Sequence, residues 1–253
     1  MDLADTTPAL LSERQVNNIM NNVRIYIPGM GAVTPAGISV PEYWKGLCCG
    51  KSAIDDITSF DTQNLAVKKA GQVKGFDPKE YLPMKLVQDL EPYMQYAYVS
   101  AMEAVTQSGI DTDSDRVGII MGSALNGLNI IGETNISLAL DGKAAGPKFL
   151  TKAMGNITAA QFSINHKIKG PSMTVSTACS SGSDAVKLAS MLIYSGEADA
   201  MIVMAGEAAI CPPLIQSLTR TGALSKTGES MPFDIKRNGF VLGEGAGALV
   251  LET

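Results

Sequence analysis

The sequence predicts an α/β protein in which a mixed, mostly parallel sheet is flanked by helices. Three observations carry the prediction. Short, predominantly apolar runs recur at 116–121, 199–204 and 246–251, as in strands buried on both faces. Apolar residues at helical spacing lie between them. Residues 172–204 read as strand, helix, strand, a βαβ unit whose two strands must be parallel.

The elements follow in order. Met1 to Asn22 is polar and acidic, unlike a secretory signal, and reads as a leader outside the fold. The pattern starts at Val23-Arg-Ile-Tyr-Ile27, a β-rich alternation that is expected to break at Pro28-Gly-Met-Gly31. A helix is expected at Pro41–Leu47. Met94, Ala97, Tyr98, Ala101, Met102 and Val105 share one helical face, and Ser108-Gly109 ends that helix. Arg116–Met121 reads as a buried strand. A short helix is expected around 129–139, and a longer one over 152–167, stopped by Gly170-Pro171. Ser172–Thr177 is a β-branched strand. It turns through Ala178-Cys-Ser-Ser-Gly182 into a helix with Ala185, Leu188, Ala189, Leu192 and Ile193 in phase, closed by Gly196. Asp199–Met204 and Ala246–Leu251 are the remaining strands. Residues 23–253 are expected to form one domain.

Composition narrows the function. The chain has 253 residues, 45% of them hydrophobic and 18% charged, which excludes a disordered chain. The formal charge is −5, with no basic stripe, so a nucleic-acid backbone is an unfavourable partner. No apolar run is long enough to span a bilayer. A cytoplasmic protein with reduced thiols is the expectation. One histidine and four cysteines leave no metal site with recognisable spacing.

Two nucleotide-like motifs fail. Gly46-Leu-Cys-Cys-Gly50-Lys-Ser52 has three residues between its glycines where a phosphate loop needs four, and it follows a helix. Gly29-Met-Gly31 lacks the third glycine of a dinucleotide fingerprint, with Pro35 where the helix should start. The adjacent Cys48 and Cys49 read as buried small hydrophobes. His166 reads as a surface or C-capping residue of its helix.

Cys179 stands apart because it lies between a strand and a helix. A thiol at the first turn of a helix faces unpaired N–H groups and the positive end of the helix dipole. Both favour the thiolate, which is the nucleophile. Its own N–H can serve a thioester oxyanion, and the small residues beside it admit an extended substrate. Position alone leaves a buried, inert cysteine as the alternative.

Val175-Ser-Thr-Ala-Cys-Ser-Ser-Gly-Ser-Asp-Ala185 resembles the active-site segment of β-ketoacyl synthases, the condensing enzymes of fatty acid and polyketide synthesis. Pro28–Gly37, Trp44–Leu47 with Gly50–Ile54, Phe60-Asp61 and Gln95-Tyr-Ala97 resemble further family segments in order. So do Gly122-Ser123, Asn156, Gly170-Pro171, Ala205–Ala208, Ala223-Leu-Ser225, Pro232-Phe-Asp234 and Gly239–Gly247. The resemblance covers about 23–253 and is nearest to the elongating synthases that act on acyl carrier proteins. It implies one half of a thiolase-like fold, Cys179 as the acyl-accepting nucleophile, and no organic cofactor or metal. It also implies a dimer, homo- or heteromeric, pairing through the strand at 172–177.

The resemblance further implies two histidines, a lysine and a second oxyanion N–H in the other half of the family's chain. The chain is therefore expected to be an excerpt or truncated product, one half completed by a separate chain, or a non-condensing subunit such as a chain-length or scaffold protein. A thiolase-type enzyme using coenzyme A thioesters shares the fold. Leu125 falls where the family places a gate to the acyl pocket, and Leu218 replaces a common aromatic near the cysteine; both can equally be core leucines. Relatives often carry basic residues before Gln-Tyr-Ala to hold the acidic carrier. Here Leu86–Tyr93 is acidic, leaving Lys68, Lys69, Lys74 and Lys85 as candidates.

Overall fold

A computed structural model describes residues 23–253. The expected leader, 1–22, lies outside them. Five strands form the main sheet: β1 (Tyr26–Val33), β4 (Val117–Gly122), β5 (Ser172–Val175), β6 (Ala200–Glu207) and β7 (Gly245–Glu252). Their order is β1-β7-β6-β4-β5. β4 pairs in parallel with both β5 and β6, whereas β7 runs antiparallel to β6 and β1. Four strands therefore share a direction and only β7 is reversed, giving the mixed sheet expected. A separate ribbon joins β2 (Asp55–Asp56) to β3 (Lys69–Ala70).

Alternation along the strands builds two apolar layers. Val117, Ile119 and Met121 of β4 and Ala200, Ile202 and Met204 of β6 face helix α4 (Pro92–Ser108), with α7 (Ile157–His166) beside it. Ile120, Met201 and Val203 face the opposite way, onto Ala185, Ala189, Leu192 and Ile193 of α8 (Ser181–Tyr194). Both faces of β4 and β6 are covered, which is why these strands read as unbroken apolar runs. Gly109, at φ 66°, ends α4 in the left-handed conformation that glycine adopts without strain.

β1 corrects the sequence reading, because the strand continues through Pro28-Gly-Met-Gly31. Its pairing with β7 shifts register between Tyr26 and Gly29, and β1 is an edge strand, so the N–H that Pro28 lacks is not missed. A Cβ on Gly31 would lie 1.8 Å from the Ser100 carbonyl oxygen, and one on Gly29 2.0 Å from that of Ala104. These two glycines let β1 lie directly on the backbone of α4.

The helix expected over 152–167 is two, α6 (Phe149–Ala153) and α7. Gly155, in the break, is pressed against the side chain of Asn126, where a Cβ would meet Oδ1 at 2.1 Å. α7 stops at Lys167, φ 58°, before Gly170-Pro171 is reached. Cys48 and Cys49 are exposed, not buried. They end α1 (Val40–Cys48), a surface helix with no buried residue, capped by Ser39. The acidic stretch before Gln95 is internally neutralised: Asp89 pairs with Lys148, and Glu91 with Lys152 at 2.9 Å.

Short helices α2 (Pro78–Tyr81) and α3 (Met84–Asp89) precede α4. α5 (Leu128–Asp141) buries no residue and exposes Ile131, Ile136, Leu138 and Leu140. A third apolar cluster, including Ile57, Leu65, Ile210, Ile215 and Leu224, joins the ribbon to α9 (Pro212–Arg220). Among the described residues no helix is long and apolar enough to cross a membrane.

Candidate active site

Three strands pointing the same way present their C-terminal ends together, the usual place for a ligand in an open α/β sheet. Ser123–Gly127 follows β4, Ser176–Ser180 follows β5, and Glu207 ends β6. A cleft of about 860 Å³ opens there. Thr34, Pro35 and Ala36, which follow β1, line one part of it; Phe240, Leu242 and Gly243 line another.

Cys179 lies on this cleft and is exposed. After β5 the chain turns sharply at Ala178, whose φ of 56° is left-handed and unusual for a residue with a Cβ. Ala178–Ser180 forms a single 3-10 turn that runs straight into α8. The thiol thus sits at the opening of a helix, as expected, on a backbone kink held by its neighbours. The Ser181 hydroxyl accepts from the Thr177 N–H at 2.9 Å and donates to the Ala178 carbonyl at 2.7 Å. The Thr177 hydroxyl donates to the Asp184 carboxylate at 2.6 Å, and the Ser180 hydroxyl to the same oxygen at 2.9 Å. These hydroxyls, Thr177 first, hold the Asp184 carboxyl below its ordinary range. Residues on both sides of Cys179 are therefore tied to one carboxylate in the first turn of α8.

Small residues are needed beneath the thiol. A Cβ on Gly122 would lie 2.7 Å from the Ser181 carbonyl oxygen, so β4 abuts the start of α8. Within this turn the Ser180 N–H donates to the Thr177 carbonyl at 3.3 Å and the Ser181 N–H to the Ala178 carbonyl, so neither is free to bind an oxyanion.

Leu125 and Leu218 both line the same cleft. Leu125 is 38% exposed in the loop after β4 and so is not a core leucine. Leu218, on α9, does both jobs, packing on the third apolar cluster and facing the cleft. His166 does not line the cleft. It ends α7, as expected, but its ring turns inward, stacked on Phe162 with centroids 4.0 Å apart. Burial lowers its pKa. Of the candidate lysines, Lys68, Lys69 and Lys85 are exposed, and Lys74 pairs with Asp55 at 2.6 Å.

Sequence reading passed over two acids. Glu207 accepts from the Ser123 hydroxyl and the Ala124 N–H, each at 2.5 Å. Glu244 accepts from the Val73 N–H at 2.9 Å, and its burial raises its pKa. Both line the cleft. Their partners lie far away in sequence, so no local pattern marks them.

Residues 22–253 match the family model of the β-ketoacyl synthase N-terminal domain. The chain belongs to the β-ketoacyl synthase family. It is 34% identical over 242 residues to the 3-oxoacyl-[acyl-carrier-protein] synthase 2 of Vibrio cholerae, covering 92% of this chain and 58% of that protein. The ishigamide ketosynthase/chain length factor superposes with a TM-score of 0.81 at 29% identity, over 90% of this chain and 58% of the other. A type II polyketide ketosynthase, solved with its acyl-carrier protein and bound to the hexaketide, gives 0.76 at 26% identity over 91% and 58%. The fold is thiolase-like. The chain thus spans less than two thirds of the length of the synthases it matches, and it corresponds to their N-terminal domain.

Proposed function

We propose that residues 23–253 are the nucleophile-bearing domain of a β-ketoacyl synthase and that Cys179 is the acyl-accepting thiol. The observation that carries this reading is the placement of an exposed thiol on a left-handed kink, at a helix opening, in a large apolar cleft. In the first step the Cys179 sulfur attacks the carbonyl carbon of an acyl-carrier thioester. The new C–S bond forms, the carrier sulfur leaves, and the cysteine proton passes to it. In the second, malonyl-carrier loses CO2 and its carbanion attacks the acyl carbon. A C–C bond forms and the Cys179 thiolate departs, leaving a β-ketoacyl carrier.

Decarboxylation builds negative charge on the malonyl thioester oxygen and needs donors there. The chain's single histidine packs away from the cleft. The reading therefore assigns these donors to a second, histidine-bearing half. It also assigns an acyl carrier protein as partner, a dimer formed through the strand at 172–177, and the cytoplasm as the site of action. Support for the dimer comes from β5, an edge strand with one unpaired side and partly exposed residues. Support for the carrier comes from the ketosynthase solved with its own carrier.

Incubating the chain with an acyl-carrier thioester and weighing the intact protein tests the reading. The expected result is one acyl adduct, absent in Cys179→Ala. No adduct on the wild-type chain, with or without a histidine-bearing half, overturns it.

A further inference from the structure

We infer that Glu207 is a positioning residue: its carboxylate fixes the loop that carries Leu125 and so sets how long an acyl chain is accepted at Cys179. The inference rests on the reading of the cleft as an acyl site. Leu125 is not locked by packing, being 38% exposed, so its place is set by its backbone. That backbone is held by one charged acceptor. Three successive residues point donors at Glu207: the Ser123 hydroxyl and the Ala124 N–H at 2.5 Å, and the Leu125 N–H at 3.3 Å. Bonds to an ionised acceptor are the short, strong kind.

The loop is closed on itself as well. The buried Ser123 oxygen accepts from the Asn126 N–H at 3.2 Å, and Asn126 turns the chain at φ 48°. Beyond the turn, the Asn129 amide donates to the Ala208 carbonyl at 2.7 Å, next to Glu207. Leu125 is thus pinned on both sides to the end of β6, the central strand whose other face carries α8. A glutamine at 207 keeps one acceptor oxygen but turns an NH2 toward backbone N–H groups, which weakens the anchor without emptying the space.

The test compares rates of adduct formation at Cys179 with butyryl- and dodecanoyl-pantetheine. Leu125→Ala is expected to raise the dodecanoyl-to-butyryl ratio. Glu207→Ala should raise the same ratio by about five-fold or more, with Glu207→Gln between it and wild type. Because both substitutions act through one loop, the double variant should exceed neither single by more than about two-fold. A residue that only supports the fold would slow both thioesters alike and leave their ratio unchanged. A ratio within about two-fold of wild type in Glu207→Ala, or effects that multiply in the double variant, overturns the inference. Should Glu207→Ala fail to fold by circular dichroism, Glu207→Gln is judged by the same two-fold criterion. A wild-type chain that takes neither thioester overturns the reading of Cys179 itself and this inference with it.

Discussion

Replacing Gly31 by alanine tests the tightest glycine approach among the described residues. The added Cβ would lie 1.8 Å from the Ser100 carbonyl oxygen, a backbone atom of α4 that no rotamer change can move. Strand and helix must separate by at least about 1.2 Å to restore even the tightest tolerable contact of 3.0 Å. Overpacking a core costs about 1–3 kcal/mol, and a backbone obstacle puts this case at about 3 or above. For a domain of this size each kcal/mol moves the midpoint by about 2–4 °C, so melting should fall by roughly 6–12 °C. Gly132→Ala is the control. It lies inside α5 with nothing within 4 Å of the built Cβ, and should stabilise by about 0.5–1 kcal/mol. Thermal melts followed at 222 nm read both. If Gly31→Ala melts within about 2 °C of wild type, β1 does not lie on the α4 backbone as described. Thr34–Ala36, which β1 delivers to the cleft, would then be positioned by something else.

Other substitutions probe the site and its supports. Phe162→Ala removes a fully buried ring and should cost about 3–5 kcal/mol in urea unfolding. His166, whose pKa burial lowers, contributes stability above the unfolded value of about 6.5 that is lost as pH falls through its folded pKa; His166→Gln should flatten that acid-side loss. Glu244 has the opposite sign. Its raised pKa means that stability declines as pH rises above the unfolded carboxyl range, so Glu244→Gln should be the more stable protein at pH 7 and indistinguishable at pH 3. Asp184→Ala releases the hydroxyls of Thr177 and Ser180 and should slow acylation of Cys179 several-fold, whereas Asp184→Asn, which keeps an acceptor oxygen, should retain more of the rate.

Much of this architecture was legible because its signals are local. The buried runs at 117–122 and 200–207, the α4 periodicity and the strand-turn-helix around Cys179 are written within a dozen residues each. What escaped depends on distant partners. Pro28 breaks strands in general, but here a register shift and an edge position make its missing N–H harmless. The acidity of Leu86–Tyr93 looked like an obstacle to an acidic partner, yet Lys148 and Lys152 fold back onto Asp89 and Glu91. The helix at 152–167 breaks where Asn126 claims the space above Gly155. Cys48 and Cys49 look apolar, but their helix lies wholly on the surface. Cys179 drew notice from its position between strand and helix, but family likeness was needed to single it out, as it was for Leu125 and Leu218. Glu207 and Glu244 lie inside two segments that carry the family likeness, but nothing local marks either as a site residue, because their donors arrive from distant parts of the chain.

The place of β7 has a consequence for how the chain acquires its shape. Tyr26 and Ala200 share a partner in Glu252, so β7 is wedged between two strands that precede it in the chain, one of them by more than 200 residues. During synthesis β1 has no ladder neighbour until the last of these residues leaves the ribosome, and contacts of such high sequence separation are costly to close. The β4, β5 and β6 ladders can close without β7, whereas β1 must wait for it. A nascent chain halted before residue 245 would hold the cysteine, the helix behind it and most of the cleft, yet have no second strand to hold the first in place.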